Sequence, residues 1–225
     1  MVIKLRTPLY TLLVFGVLEI MTYYIRMFNG MSVFLPLGGT IFILMLVWQQ
    51  VEDYYQSILE EQKLIYYEKL ANTDMLTGAF SRNAYENMLR DITEREDGAK
   101  GYGTVLFDLN NLKFINDNLG HEKGDEAIKR CYELILTAFG DKGKCYRIGG
   151  DEFVLLIPNQ EGVAEKLALF DELVEQSNAS LGFPFRVAAG YAVFDPEQDE
   201  NLYHTIRRSD AMMYLDKKQK KEVYS

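Results

Sequence analysis

The stretch Arg147-Ile148-Gly149-Gly150-Asp151-Glu152-Phe153 sets two adjacent carboxylates beside two residues without side chains. A third acid, Asp108, closes the apolar run 103–108, which reads GTVLFD. Carboxylates of this kind, brought to one edge of a sheet, suit a hard cation such as Mg²⁺, which takes oxygen ligands and shares them with substrate phosphates. The carbonyl of Leu109 adds a further oxygen. Gly149 and Gly150 can adopt positive φ and leave room for a ligand against the backbone. Each feature also has a plain structural use: Asp108 as a cap for a helix starting near Asn111, and Gly-Gly-Asp as a hairpin turn.

The elements that position these residues follow from patterning. Residues 84–90 read as helix, 103–108 as a strand and 125–139 as an amphipathic helix. Residues 144–148 and 153–158 form two strands around Gly149-Gly150. Then come a helix over 163–176, a strand over 185–194 and a helix over 202–221. Because one strand pair is a hairpin, the sheet is expected to be antiparallel or mixed.

The first part of the chain differs in composition. Residues 9–25 and 31–48 are apolar and of spanning length, which predicts a transmembrane hairpin within a 1–49 unit, with Glu19 its one acid. Residues 50–72 form a charged helical connector, with Val51, Ile58 and Ile65 seven residues apart and Tyr54 on the same seam. The whole chain carries −9; residues 1–49 carry +2 (Lys4, Arg6 and Arg26 against Glu19), leaving −11 for the remainder. Such acidity excludes a nucleic-acid-binding surface. Cys131 and Cys145 make no disulfide framework and read as packing thiols.

Three segments then stand in order: DLNNLKFIND over 108–117, GHEKGD over 120–125 and RIGGDEF over 147–153. They resemble the GGDEF family of diguanylate cyclases. The run Asp74-Met75-Leu76-Thr77-Gly78 with Ser81-Arg82, and Ser209-Asp210-Ala211-Met212-Met213-Tyr214-Leu215-Asp216-Lys217, resemble that family's opening and closing signatures. The resemblance covers residues 73–222. It implies a palm-like α/β (α+β) nucleotidyl cyclase domain with a central, mostly antiparallel sheet. Two such domains, each holding one GTP, would face each other as a homodimer and make cyclic di-GMP and two pyrophosphates.

Carried over by motif position, Asp108, Asp151 and the Leu109 carbonyl would hold Mg²⁺, or Mn²⁺ in its place, two ions per active site. Asn116 and Asp125 would bind guanine, with His121 on the same segment. Lys113, Lys217 and Lys221 would meet phosphate, and Glu152 or Asp151 would help deprotonate the ribose 3′-hydroxyl. An inner-membrane location through residues 9–48, with a cytoplasmic catalytic domain, completes the expectation. A catalytically silent GTP-binding module is the alternative.

The chain departs from the family pattern in places. Gly140-Asp141-Lys142-Gly143 stands where many members carry an inhibitory R-x-x-D site, so product inhibition through it is not expected. Lys220-Lys221 replaces the usual Gly-Arg, and Met212 and Asp216 replace alanines.

Overall fold

Alternating side chains along four short strands build the centre of the sheet-containing part of the chain. The computed structural model describes residues 6–29, 34–95, 98–158 and 161–222. The strands are β1 (Gly103–Leu109), β2 (Lys144–Arg147), β3 (Glu152–Ile157) and β4 (Val187–Val193). They lie in the order β2-β3-β1-β4, and every pair is antiparallel. The helices are α1 (Arg6–Asn29), α2 (Phe34–Asn72), α3 (Arg82–Thr93), α4 (Leu112–Leu119), α5 (His121–Phe139), α6 (Val163–Leu181) and α7 (Leu202–Glu222).

Period-two alternation divides the core into two layers. Phe107 and Leu109 of β1, with Phe153 and Leu155 of β3, pack with Ile128, Cys131, Ile135, Phe170 and Val174 of α5 and α6. The Phe107 ring lies 4.8 Å from Phe170 and 5.8 Å from Phe139 between ring centres. On the other face Leu106, Val154, Leu156 and Ala188 pack with Leu89 and Ile92 of α3 and with Leu202 and Met213 of α7. Here α7 approaches the sheet at backbone distance. A Cβ at Gly190 would collide with the Met213 amide and the Ser209 carbonyl. The buried Thr104 and Ser209 hydroxyls meet at 2.8 Å beside this contact.

The chain divides into two compact units that meet at Tyr66–Tyr67. In the first, α1 and α2 touch closely at Gly38, where a Cβ would overlap the Phe15 side chain. α2 runs without interruption through residue 50, where the connector was expected to begin. The expected transmembrane hairpin is not found: among the described residues no helix is long and apolar enough to cross a membrane. Residues 31–33 of the second stretch lie outside the described residues.

Element ends also differ from the sequence expectation. α4 starts where the cap reading of Asp108 placed a helix, but patterning did not delimit it, because its eight residues give only about two turns of periodicity. α5 begins at His121 rather than at 125. Both cysteines are buried and free, and burial raises both thiols above the ordinary range.

Candidate active site

The end of the β1–β3 ladder brings the acids together. Asp108 and Glu152 are register partners, so their Cβ atoms stand on one face about 5 Å apart. The Leu109 amide donates to the Asp151 carbonyl at 2.9 Å. Within a strand a residue's N–H and C=O point the same way, so the Leu109 carbonyl also faces the hairpin. Asp108 is 7 % exposed, and its Oδ1 accepts from Lys217 Nζ of α7 at 2.6 Å. It is therefore the buried half of an interelement ion pair, not the helix cap that its position also suggested. Asp108, Asp210, Met213, Tyr214, Lys217 and Lys218 line a cleft at this end of the sheet. Burial, and then the Asp151, Asp108 and Asp210 carboxylates, push the Glu152 carboxyl above its usual range, against the pull of Lys217.

The hairpin between β2 and β3 is held from outside. The Ile148 amide donates to the Glu152 carbonyl at 3.0 Å. Arg147 Nη2 donates to the Gly150 carbonyl at 2.8 Å, while its Nη1 reaches Asp74 Oδ1 and Oδ2 at 3.0 and 3.2 Å. Asp74 in turn accepts from the Thr77 amide and hydroxyl at 2.9 and 2.6 Å. Burial would raise the Asp74 carboxyl, but the Thr77 and Arg147 bonds outweigh it and hold the group below the usual range. The Asp74–Gly78 signature is thus a brace for the acid-bearing turn.

The glycines were expected to use positive φ, but neither Gly149 nor Gly150 adopts it. What they provide is space. A Cβ at Gly150 meets nothing, and one at Gly149 would stand 2.7 Å from Glu152 Oε2.

A second group of expected residues collects at the α4–α5 junction. Asn111 takes left-handed backbone (φ 62°) where β1 turns into α4, a conformation that asparagine tolerates better than most residues. Asn116 lies across the first turn of α5. A Cβ at Gly124 would overlap its side-chain oxygen, so glycine at 124 is what lets Asn116 rest against α5. Asp125 is exposed, as are Lys113 in the first turn of α4 and His121 at the start of α5. The structure therefore gathers Asp108, Leu109, Asp151, Glu152 and Lys217 at the strand ends, and Asn116, His121 and Asp125 at the helix junction. The Lys221 side chain lies outside the described residues.

Among the described residues, no group of three or more His, Cys, Asp or Glu side chains is assembled to hold a metal ion. The donor set still fits Mg²⁺, which is commonly held by one or two carboxylates plus substrate phosphates. Two observations support the fit. Asp108 already attracts a cation, the Lys217 ammonium, and burial, followed by the neighbouring acids, raises Glu152's proton affinity.

Several positions had no role assigned from sequence. Asp74 and Asp210 stood inside quoted signatures, so their presence was visible but not their partners. Asp199 was silent: it is buried, pairs with Arg208 at 2.5 Å and accepts from Thr205 at 2.9 Å, tying the turn before α7 to that helix.

Comparison with known proteins agrees with this geometry. The family profile described as "Diguanylate cyclase, GGDEF domain" matches residues 71–223. The cyclic di-GMP phosphodiesterase PdeR of Escherichia coli is 31% identical over 66% of this chain and 23% of its own length. The diguanylate cyclase DgcS of Shewanella oneidensis is 26% identical over 67% of this chain and 51% of its own. The chain thus spans about half or less of the length of these relatives. The coiled coil and GGDEF domain of DgcB from Caulobacter crescentus, solved with c-di-GMP, superposes with a TM-score of 0.68 at 23% identity, over 77% of this chain and 95% of that one. The match takes in the braced turn, the strand-end acids and the α4–α5 junction alike, and the chain belongs to the GGDEF-domain diguanylate cyclase family.

Proposed function

We propose that the chain is an active diguanylate cyclase that condenses two GTP into cyclic di-GMP with release of two pyrophosphates. The observation that carries this reading is the register pairing of Asp108 with Glu152, next to Asp151 in sequence, with Lys217 bonded to Asp108 at 2.6 Å. Asp108, Asp151 and the Leu109 carbonyl would hold Mg²⁺, or Mn²⁺. Bound there, divalent cations would lower the pKa of the attacking hydroxyl and draw charge from the transferring phosphate.

The chain's own residues do the rest. Asn116 and Asp125 take the guanine edge, where a carboxylate accepts from N–H groups that adenine does not present. Lys113 and Lys221 meet phosphate. Lys217 serves two partners in turn, Asp108 in the nucleotide-free chain and phosphate oxygens in the complex. Glu152, with its raised proton affinity, accepts the proton of the 3′-hydroxyl as that oxygen bonds to the α-phosphorus and the bond to pyrophosphate breaks.

Each domain holds one GTP, so the reaction needs two copies. The exposed Val51, Tyr54 and Ile65 on α2 support pairing along that helix. The exposed apolar side chains Leu13, Val14, Val17, Ile20, Ile43 and Leu44 support attachment of the first unit to the inner membrane.

The test is incubation of the purified chain with GTP or ATP and Mg²⁺, with products resolved by chromatography and mass. Cyclic di-GMP from GTP alone, lost in Asp151→Ala, is the expected result; GTP bound but unconverted would replace the reading with a silent binding module. Relatives that include a phosphodiesterase such as PdeR keep that second reading in view.

A further inference from the structure

Two of the family departures on α7, Asp216 and Lys220, act together. β4 is an edge strand, so its outer N–H and C=O groups have no neighbouring strand. Two of them are met by side chains of α7. Asp216 Oδ2 accepts from the Ala189 amide at 2.9 Å, and Lys220 Nζ donates to the Val187 carbonyl at 3.0 Å. The two side chains also pair with each other at 2.8 Å, one helical turn apart. Lys220 then reaches past the edge to Asp171 of α6 at 2.9 Å. α7 packs on one face of the sheet and α6 on the other. One ammonium therefore links both layers around the strand edge.

The register shows what this grips. Val187 pairs with Leu109, Ala188 with Asp108 and Ala189 with Phe107. The two clasped residues of β4 flank the partner of Asp108.

We propose that Asp216, Lys220 and Asp171 form an edge clasp that holds the Asp108–Leu109 end of β1, and with it Lys217, in the geometry the nucleotide site requires. The clasp is a positioning device: none of its three side chains touches the Asp108 carboxylate. It takes over at β4 what hydrogen bonding to a further strand would do, using the two positions where the family usually has alanine and glycine. The functional half of the inference rests on the cyclase reading; the structural half does not.

The experiment uses the full chain as wild type, Lys220→Met, Lys220→Arg and Asp171→Asn. Hydrogen exchange followed by mass spectrometry reads the strand ends without any nucleotide. In Lys220→Met, peptides covering 106–110 and 186–190 are expected to exchange about tenfold faster, those covering the β2–β3 hairpin to stay unchanged, and Lys220→Arg to restore most of the protection. Uniform acceleration across the sheet, or none, overturns the clasp. Equilibrium binding of GTP with Mg²⁺ and of guanosine alone reads the site. Lys220→Met is expected to weaken GTP about tenfold and leave guanosine unchanged. Equal losses for both, or no loss for GTP, remove the positioning role. Absence of GTP binding in the wild type overturns the cyclase reading and the functional half with it, while the exchange data still decide the clasp.

Discussion

β1 presents two different surfaces from one run of seven residues. On one side Phe107 and Leu109 enter a closed apolar layer beneath α5 and α6. On the other, Thr104 and Asp108 carry polar groups, and each is met by a group of α7, Ser209 or Lys217. The first face is filled by aromatic and branched side chains and holds the strand in place. The second is covered by a helix that comes close at Gly190 and leaves a cleft at Asp108. The difference teaches that residue parity separates a packing face from a face of paired polar groups, which the proposed cyclase reading uses for chemistry. Neighbours 107 and 108, joined by one peptide bond, face different surroundings.

The largest effect that tests this separation is at Asp108. Asp108→Asn is expected to lower cyclic di-GMP formation by about 100- to 1,000-fold, measured as initial rate at saturating GTP, and, because it leaves Lys217 without its ion-pair partner, to lower the denaturation midpoint by less than Phe107→Ala does. Its neighbour gives the converse. Phe107→Ala removes a ring packed between Phe139 and Phe170 and is expected to cost about 3–5 kcal/mol in urea denaturation. If Phe107→Ala unfolded as wild type does, the division between the faces would not hold.

Smaller effects sharpen the picture of the covering helix and the helix junction. Gly190→Ala forces a methyl into the backbone of α7 and is expected to cost about 2–3 kcal/mol, seen as an earlier thermal midpoint. Gly124→Ala displaces the Asn116 side chain. GTP affinity should fall about tenfold, and preference over ATP with it, while the midpoint moves little.

The smallest expected effect is the pH dependence of Glu152. Its folded-state carboxyl lies above the usual range, so the folded form holds the proton more tightly than the unfolded chain. That contribution to stability is present at low pH and is lost as pH rises through the folded value. Glu152→Gln should remove this slope in the cation-free chain, as read from midpoints across the acid range. An unchanged slope would assign it to another group.

Much of the site was legible before the fold. Acids at the end of an apolar run and at a glycine turn carry their chemistry in residue type, and their order along the chain identifies the family. Strand patterning also predicted β1 to β4 to within two residues at each end. α4 was legible only as a helix starting near Asn111, because so short a helix barely repeats.

What the sequence by itself determined is local: which residues are apolar, which alternate, and which functional groups sit a few positions apart. Tertiary structure alone decided which distant groups meet. Lys217 finds Asp108 across 109 positions, Arg147 finds Asp74 across 73, and Lys220 finds Asp171 across 49. The physical reason is that a charge in a sequence has no preferred partner until packing removes water from around it. Burial at the end of β1 and the edge of β4 makes an unpaired charge costly, and the helices that cover those strands supply the partners within reach.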